Sequence, residues 1–205
     1  MSPAENLCSL CREPAVARLT EPERRLCAAH FIEDAGARVL AAMKHECMVS
    51  PGDRVAVGLS GGKDSTALLL LLHRFLPTLG ATLVAVTIDE GIAGYREETL
   101  KAARDLTTEI GIEHVIVTFA DLFGADLDAI LVGRESQGCT VCGVLRRRAL
   151  AEAVKQVGAT KLATGHNLDD EAQSVLMNVL RGDLPRLRQD TSTGQDRKSA
   201  CRERV

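Results

Sequence analysis

Four short apolar runs limit what this chain can fold into. They are Arg54–Leu59, Thr82–Ile88, His114–Thr118 and Lys161–Thr164. Between and after them lie longer segments with apolar residues at helical spacing. These are Thr66–Leu76, Tyr95–Ile110, Asp121–Val132, Cys142–Val157 and Leu168–Leu180, and Gly111, Gly158 and Gly182 end three of them. Strands alternating with helices predict an α/β domain, a parallel sheet with helices on both faces. Ligands of such sheets bind beyond the carboxyl ends of the strands. Ser60–Ser65, Asp89–Gly91, Cys139–Cys142 and Gly165–Asp170 all fall there.

Ser60-Gly-Gly-Lys-Asp-Ser65 joins the first run to the first helix. Glycines let backbone N–H groups approach phosphate oxygens, and a helix N-terminus adds partial positive charge. The hydroxyls of Ser60 and Ser65 can donate to phosphate, Lys63 adds a full charge, and Asp64 caps the helix or orients a magnesium ion. The spacing is neither that of a Walker A loop nor Gly-x-Gly-x-x-Gly. A helix N-cap with permissive glycines is the bland alternative.

The 205 residues carry 25 Lys plus Arg and 28 Asp plus Glu, a net charge of −3, so a nucleic-acid partner needs a local basic patch. Arg146, Arg147, Arg148, Arg181, Arg186 and Arg188 offer one, and phosphate contacts of this kind are salt-sensitive. Aromatics are 2% with no Trp, which argues against base-stacking platforms. No apolar run approaches the roughly 20 residues of a membrane span. Met1–Arg12 is polar rather than a signal peptide.

Seven cysteines without a secretory signal point to metal or redox chemistry in a reducing cytoplasm. Cys8-x-x-Cys11 and Cys27-x-x-His30 have the spacing of a structural zinc site with four protein ligands. The stretch between them is poor in apolar residues, so a metal supplies folding free energy. The module is expected over residues 1–32, a linker helix over 33–50 (Phe31–Cys47 carries the periodicity), the α/β domain over 51–188 and a polar tail over 189–205. The second pair, Cys139-x-x-Cys142, is the other candidate metal or redox site.

Together, Ser60–Ser65, Asp89-Glu-Gly-Ile-x-Gly-Tyr95, Cys139-Thr-Val-Cys-Gly143 and Thr164-Gly-His-Asn-Leu-Asp-Asp-Glu-Ala-Gln173 resemble the PP-loop tRNA 2-thiolation enzymes of the TtcA/TtuA family. The resemblance is to the archaeal branch related to the eukaryotic cytosolic tRNA thiolation protein, and runs from about residue 5 to about residue 188. It implies ATP-dependent adenylation of a uridine C2 oxygen, release of pyrophosphate, and replacement of the activated oxygen by sulfur. ATP, Mg2+, Zn2+ and an iron–sulfur cluster of four irons are the implied cofactors. tRNA and a ubiquitin-like sulfur carrier are the implied partners, and a homodimer is a candidate assembly.

On this resemblance Leu59, Ser60, Gly61, Gly62, Lys63, Asp64, Ser65, Ile88, Arg146 and Gly165 bind the nucleotide. Cys139, Cys142, Asp170 and Lys63 form the catalytic set. Cys139 and Cys142 hold iron–sulfur or carry a persulfide; a redox disulfide and a second zinc stay open. Asp170 is a catalytic or magnesium-linked carboxylate, or a helix N-terminal carboxylate favoured by the dipole. Wobble position 34 fits the eukaryote-like branch, position 54 the TtuA branch. An amide-forming or lysidine-synthetase-like PP-loop enzyme shares the loop but not the need for the cysteine pair. A truncated nucleotide-binding protein without thiolation activity is the second alternative. After about Arg188 the sequence departs from the family: residues 189–205 lack periodicity and are expected to be disordered. The family's third cluster cysteine then has no counterpart unless Cys201 serves. Lys161–Thr164 is expected to be a sheet edge, and the chain to bind ATP better than it thiolates tRNA.

Overall fold

The computed structural model describes residues 6–92, 97–133 and 138–183, with the Cys139 side chain excluded. It falls into two units, Met1–Met48 and Val49–Val205.

The first unit is a hairpin and a helix. β1 (Ala17–Thr20) pairs antiparallel with β2 (Glu23–Leu26), Ala17 opposite Leu26, around a turn with a cis Glu21–Pro22 peptide. The periodicity of the sequence did not announce this hairpin, because four-residue strands with Arg and Glu on them carry almost no alternation. Its core is small: Cys8, Leu26 and Cys27 are buried, with Leu19 packed against them. α1 (Ala28–His45) begins three residues before the expected start, with Cys27 at its N-cap. Asp34 on α1 pairs with Arg24 of β2 at 2.6 Å and with Arg38 one turn on at 2.7 Å, fastening helix to hairpin.

The second unit is the predicted parallel sheet. β3 (Arg54–Gly58), β4 (Thr82–Asp89), β5 (His114–Thr118) and β6 (Lys161–Thr164) lie in the order β5-β4-β3-β6, every neighbouring pair parallel. Ala56, Val84, Val86 and Ile88 pack in one core with Ala149 and Ala153 of α6 (Gly138–Gln156). Two alanines four residues apart let that helix lie close to the sheet. Val55 and Val57, the alternate residues of β3, are buried on the opposite face. α2 (Lys63–Phe75) follows the first strand and packs against β3 and β4.

α3 (Glu97–Glu109) lies within the expected helix, whose first two residues are outside the described chain. Asp121–Val132, expected as one helix, is two short ones: α4 (Phe119–Phe123) and α5 (Leu127–Ile130). Gly124 at φ 78° closes the first, and Asp126 is the N-cap of the second. α6 begins four residues before its expected start and so includes the cysteine pair. α7 (Leu168–Arg181) ends at Gly182 as expected. Among the described residues β6 pairs only with β3, and α7 leaves Leu168, Leu176 and Leu180 exposed. The tail from 189 on, with Cys201, lies outside the described residues, as do Arg186 and Arg188.

Candidate nucleotide cleft and metal centre

β3 delivers the loop, and β4 anchors it: the Leu59 N–H donates to the Val86 carbonyl at 2.8 Å. The Thr87 hydroxyl donates to the Leu59 carbonyl at 2.7 Å. Behind Thr87, His114 bridges Thr87 Oγ1 through Nε2 at 2.8 Å and Thr107 Oγ1 through Nδ1 at 3.1 Å. Burial, then the nearby Arg104 charge, hold this imidazole below its ordinary pKa.

The loop is also braced from within. Ser65 is buried, and its hydroxyl donates to the Gly62 carbonyl at 3.0 Å while accepting from the Ser60 N–H at 3.2 Å. The Ser60 hydroxyl lies 3.0 Å from that of Ser65. Both hydroxyls were expected on phosphate. The structure turns the Ser65 hydroxyl inward as a brace, because its hydrogen is on Gly62. Gly62 is the N-cap of α2, so the first N–H groups of the helix face the loop without intrahelical acceptors. Lys63 is mostly exposed and pairs with Asp64 at 2.9 Å. That hydrogen bond and the Asp64 charge, with a smaller contribution from Asp170, raise its pKa.

A cleft of about 280 Å³ opens beyond the strand ends. Leu59, Ser60, Gly62, Asp64, Ser65, Ile88, Arg146 and Gly165 line it, eight of the ten residues expected around the nucleotide. Gly61 turns away: a Cβ there would stand 2.6 Å from the Thr99 carbonyl oxygen. Lys63 is also absent from the lining. Gly165 follows β6 so closely on the loop that a Cβ would stand 2.8 Å from the Ser65 nitrogen.

Asp170 serves the helix rather than the cleft wall. It is the N3 residue of a capping box on α7: its carboxylate accepts from the Asn167 N–H at 2.9 Å, and its N–H donates to Asn167 Oδ1 at 3.0 Å. His166 does line the cleft, with Nδ1 3.0 Å from Thr164 Oγ1.

Cys142 lies near the start of α6, with Arg146 one turn on. Arg146 Nη2 is 3.3 Å from Cys142 Sγ, and its Nε donates to Glu90 at 2.6 Å. Glu90 is the buried carboxylate of this site that the sequence reading missed. It was quoted within a motif, but nothing in its spacing distinguishes a buried carboxylate from an exposed one. Arg147 and Arg148 are exposed on the same helix, Arg148 with its guanidinium 5.9 Å from the Phe123 ring centre.

In the first unit, Cys8, Cys11, Cys27 and His30 bring their four donor atoms within 4.8 Å of one another. Cys11 Sγ is 3.7 Å from Cys27 Sγ, and His30 Nδ1 is 3.2 Å from Cys27 and 3.5 Å from Cys8. A tetrahedral ion with metal–sulfur bonds near 2.3 Å separates its sulfurs by about 3.8 Å, and these three separations are close to the edges of such a shell. Desolvation opposes ionisation of Cys8, yet N–H groups of Cys27, Leu10 and Cys11 outweigh it and lower the thiol to about 6. The His30 N–H, against burial, lowers Cys27. Cys11 moves up: a hydrogen bond from Glu13 favours its thiolate, but burial and the neighbouring sulfurs outweigh it.

Comparison with known proteins agrees with this geometry. Residues 32–198 match the family model of the PP-loop domain. The chain is 44% identical over 191 residues to a mouse protein named cytoplasmic tRNA 2-thiolation protein 1, covering 90% of this chain and 46% of that one. The Arabidopsis thaliana protein of the same name is 38% identical, covering 94% and 56%. The chain therefore spans about half the length of the curated relatives it matches. Among solved structures, a U34-tRNA thiolase, NcsA, from Methanococcus maripaludis with its [4Fe-4S] cluster superposes with a TM-score of 0.77. It is 35% identical, and the match covers 88% of this chain and 60% of that one. An NH3-dependent NAD synthetase from Campylobacter jejuni shares the fold at a TM-score of 0.50 and 18% identity. On this sheet, this loop and the match over residues 32–198, the chain belongs to the PP-loop domain family.

Proposed function

We propose that this chain carries the ATP-activating half-site of a tRNA 2-thiouridine synthase. The observation behind this reading is the single cleft lined by the Ser60–Ser65 loop, Ile88, Gly165 and Arg146, with Cys142 sulfur one hydrogen bond from Arg146. The relatives' names and the thiolase neighbour support it.

ATP binds with its phosphates on the α2 N-terminus and the loop, where backbone N–H groups meet them. Ile88 supports the adenine, and Gly165 leaves room for the nucleotide beside β6. The uridine C2 oxygen attacks the α-phosphorus, the bond to pyrophosphate breaks, and AMP is left on the oxygen as a leaving group. Lys63 brings positive charge to the departing pyrophosphate, and Asp64 would hold a magnesium ion there, which would supply further positive charge. Asp170, one side chain from Lys63, sets the charge of that corner. Sulfur delivered at the Cys142 end then displaces AMP at C2.

Cys139 and Cys142 are the residues that would hold an iron–sulfur cluster, since soft thiolates suit iron and sulfide, and Cys142 lies beside the Arg146 guanidinium. Such a cluster supplies a site that carries sulfide. Cys8, Cys11, Cys27 and His30 hold zinc, which three thiolates and one imidazole favour; with no open position its role is structural. Arg146, Arg147, Arg148 and Arg181 meet tRNA phosphate, so binding weakens steeply with salt. A thiocarboxylate-bearing ubiquitin-like carrier is the proposed sulfur donor, and a homodimer the proposed assembly. The relatives' names place the activity in the cytoplasm; no helix of the described residues is long and apolar enough to cross a membrane. Position 34 is the proposed target, in line with the thiolase neighbour.

The test is nucleoside mass spectrometry of tRNA incubated with ATP, sulfide and iron-reconstituted chain. tRNA-dependent AMP and pyrophosphate should form, with 2-thiouridine in smaller amount, and the 2-thiouridine should vanish when Cys139 and Cys142 are both changed to Ala. Product formation that survives the double change sinks the thiolation reading and favours an amide-forming or lysidine-type ligase.

A further inference from the structure

Among the described residues, Glu90 is the one charged side chain that is fully buried. A buried carboxylate is costly unless paired and hydrogen-bonded, so its place needs a reason. The chain builds a turn to put it there. After β4, the Asp89 carboxylate accepts from the Gly91 N–H at 3.0 Å, and the Glu90 carbonyl accepts from the Leu127 N–H at 2.8 Å. The peptide is clamped from both sides and the side chain is sent inward. Its Oε1 receives Arg146 Nε at 2.6 Å, from a helix 56 residues further along the chain.

Arg146 faces three ways. Nε is on Glu90, Nη2 is on Cys142 Sγ, and the side chain, 46% exposed, lines the cleft with Ser60, Ile88 and Gly165. A free arginine on a helix surface samples many rotamers and meets a ligand only after losing them. Here the inner edge of the guanidinium is fixed by a charge-assisted bond, the kind with the tightest geometry. The outer edge is left for ligand.

We propose that Glu90 is a positioning residue: it holds the Arg146 guanidinium between the nucleotide cleft and the Cys142 sulfur, so that one fixed cation serves both ends of the site. The inference rests on the ATP reading for its ligand. It does not rest on that reading for the restraint placed on Arg146.

The experiment measures ATP affinity by titration calorimetry on the full chain and its variants. In parallel it follows the Arg146 Nε–H resonance by 15N NMR, with Arg146→Lys to assign it. Glu90→Gln keeps the volume and removes the charge. It should weaken ATP binding about tenfold, the scale of one charge-assisted hydrogen bond. Arg146→Ala should weaken it at least as much, and adding Glu90→Gln to Arg146→Ala should cost nothing more. The Arg146 Nε–H should exchange slowly with water in the parent and rapidly in Glu90→Gln.

A purely structural ion pair predicts otherwise: lower melting temperature in Glu90→Gln with ATP affinity unchanged, or additive losses in the double variant. Either result overturns the proposal. If Glu90→Gln fails to fold, Arg146→Lys decides. It keeps the charge but has no Nε–H for Glu90, so full ATP affinity in that variant also overturns it. If the parent binds no ATP, the function reading fails on its own. The NMR arm still stands: slow exchange lost in Glu90→Gln upholds the restraint, and fast exchange in the parent refutes it.

Discussion

The Cys/His cluster of the first unit and the cleft of the second are built in opposite ways. The cluster draws four ligands from 23 residues, Cys8 to His30, and its chemistry follows from spacing alone. The cleft draws its walls from the ends of β3, β4 and β6 and from α6, residues more than 100 positions apart. Around the cluster only Cys8, Leu26 and Cys27 form a buried core. Around the cleft a sheet with both faces covered holds the walls in place. A ligand set close in sequence on so small a core is expected to depend on an ion, whereas the cleft rests on a sheet with its own core.

The most drastic way to break this contrast is at the cluster. Cys8→Ser should release about one zinc per chain and unfold much of residues 6–48, because structural zinc supplies roughly 10–16 kcal/mol of folding free energy in comparable modules. Residues 49–183 should keep their structure. Metal analysis and hydrogen exchange check this; a protected hairpin without metal would mean the small core suffices.

At the cleft the expected effect is local. Gly165→Ala drives a Cβ into the Ser65 backbone. Overpacking of this kind costs about 1–3 kcal/mol, so ATP affinity should fall roughly tenfold to a hundredfold while the sheet persists by circular dichroism. Unchanged affinity would mean the loop can retreat from β6.

The two halves of the loop differ as well. Lys63→Ala removes a mostly exposed cation, and losing its charge-assisted contact should weaken ATP use only modestly, because solvent screens the charge. Ser65→Ala instead removes an internal brace. Its loss should show in loop dynamics by NMR as well as in affinity. Equal affinity losses with an undisturbed loop would return Ser65 to direct phosphate contact.

How much of this was legible differs by element. The strand–helix alternation was plain because parallel strands buried on both faces read as apolar runs. β5 and β6 were read to the residue. The β1–β2 hairpin was invisible, since its cohesion comes from backbone pairing and a core of Cys8, Leu26 and Cys27 rather than from a pattern. Eight of the ten residues expected at the nucleotide, from one loop, one strand end, one glycine and one Arg, line the same cleft. Asp170 read first as a catalytic or magnesium-linked carboxylate and second as a helix N-terminal one, because a capping box and an acidic active-site turn share a sequence; the structure shows the capping box. Glu90 was not legible, because its importance lies in burial and a partner 56 residues away.

The smallest effect concerns the His114 bridge behind the loop. His114 is held below its ordinary pKa, so the unfolded chain binds its proton more readily than the folded one. The stability this contributes is fully present above about pH 6.5, the unfolded value, and is lost as pH falls through the lower folded value. Denaturant midpoints at stepped pH should decline across that window, and His114→Gln should flatten the decline. A slope unchanged by the substitution would assign the pH dependence to other groups.

Product analysis of ATP turnover tests the central claim most directly. With iron-reconstituted chain, sulfide and unmodified tRNA under anaerobic conditions, AMP and pyrophosphate should appear in equal amounts, only when tRNA is present, and ahead of any 2-thiouridine. Formation of ADP and phosphate, or of AMP without tRNA in proportion to an added amine, would contradict it.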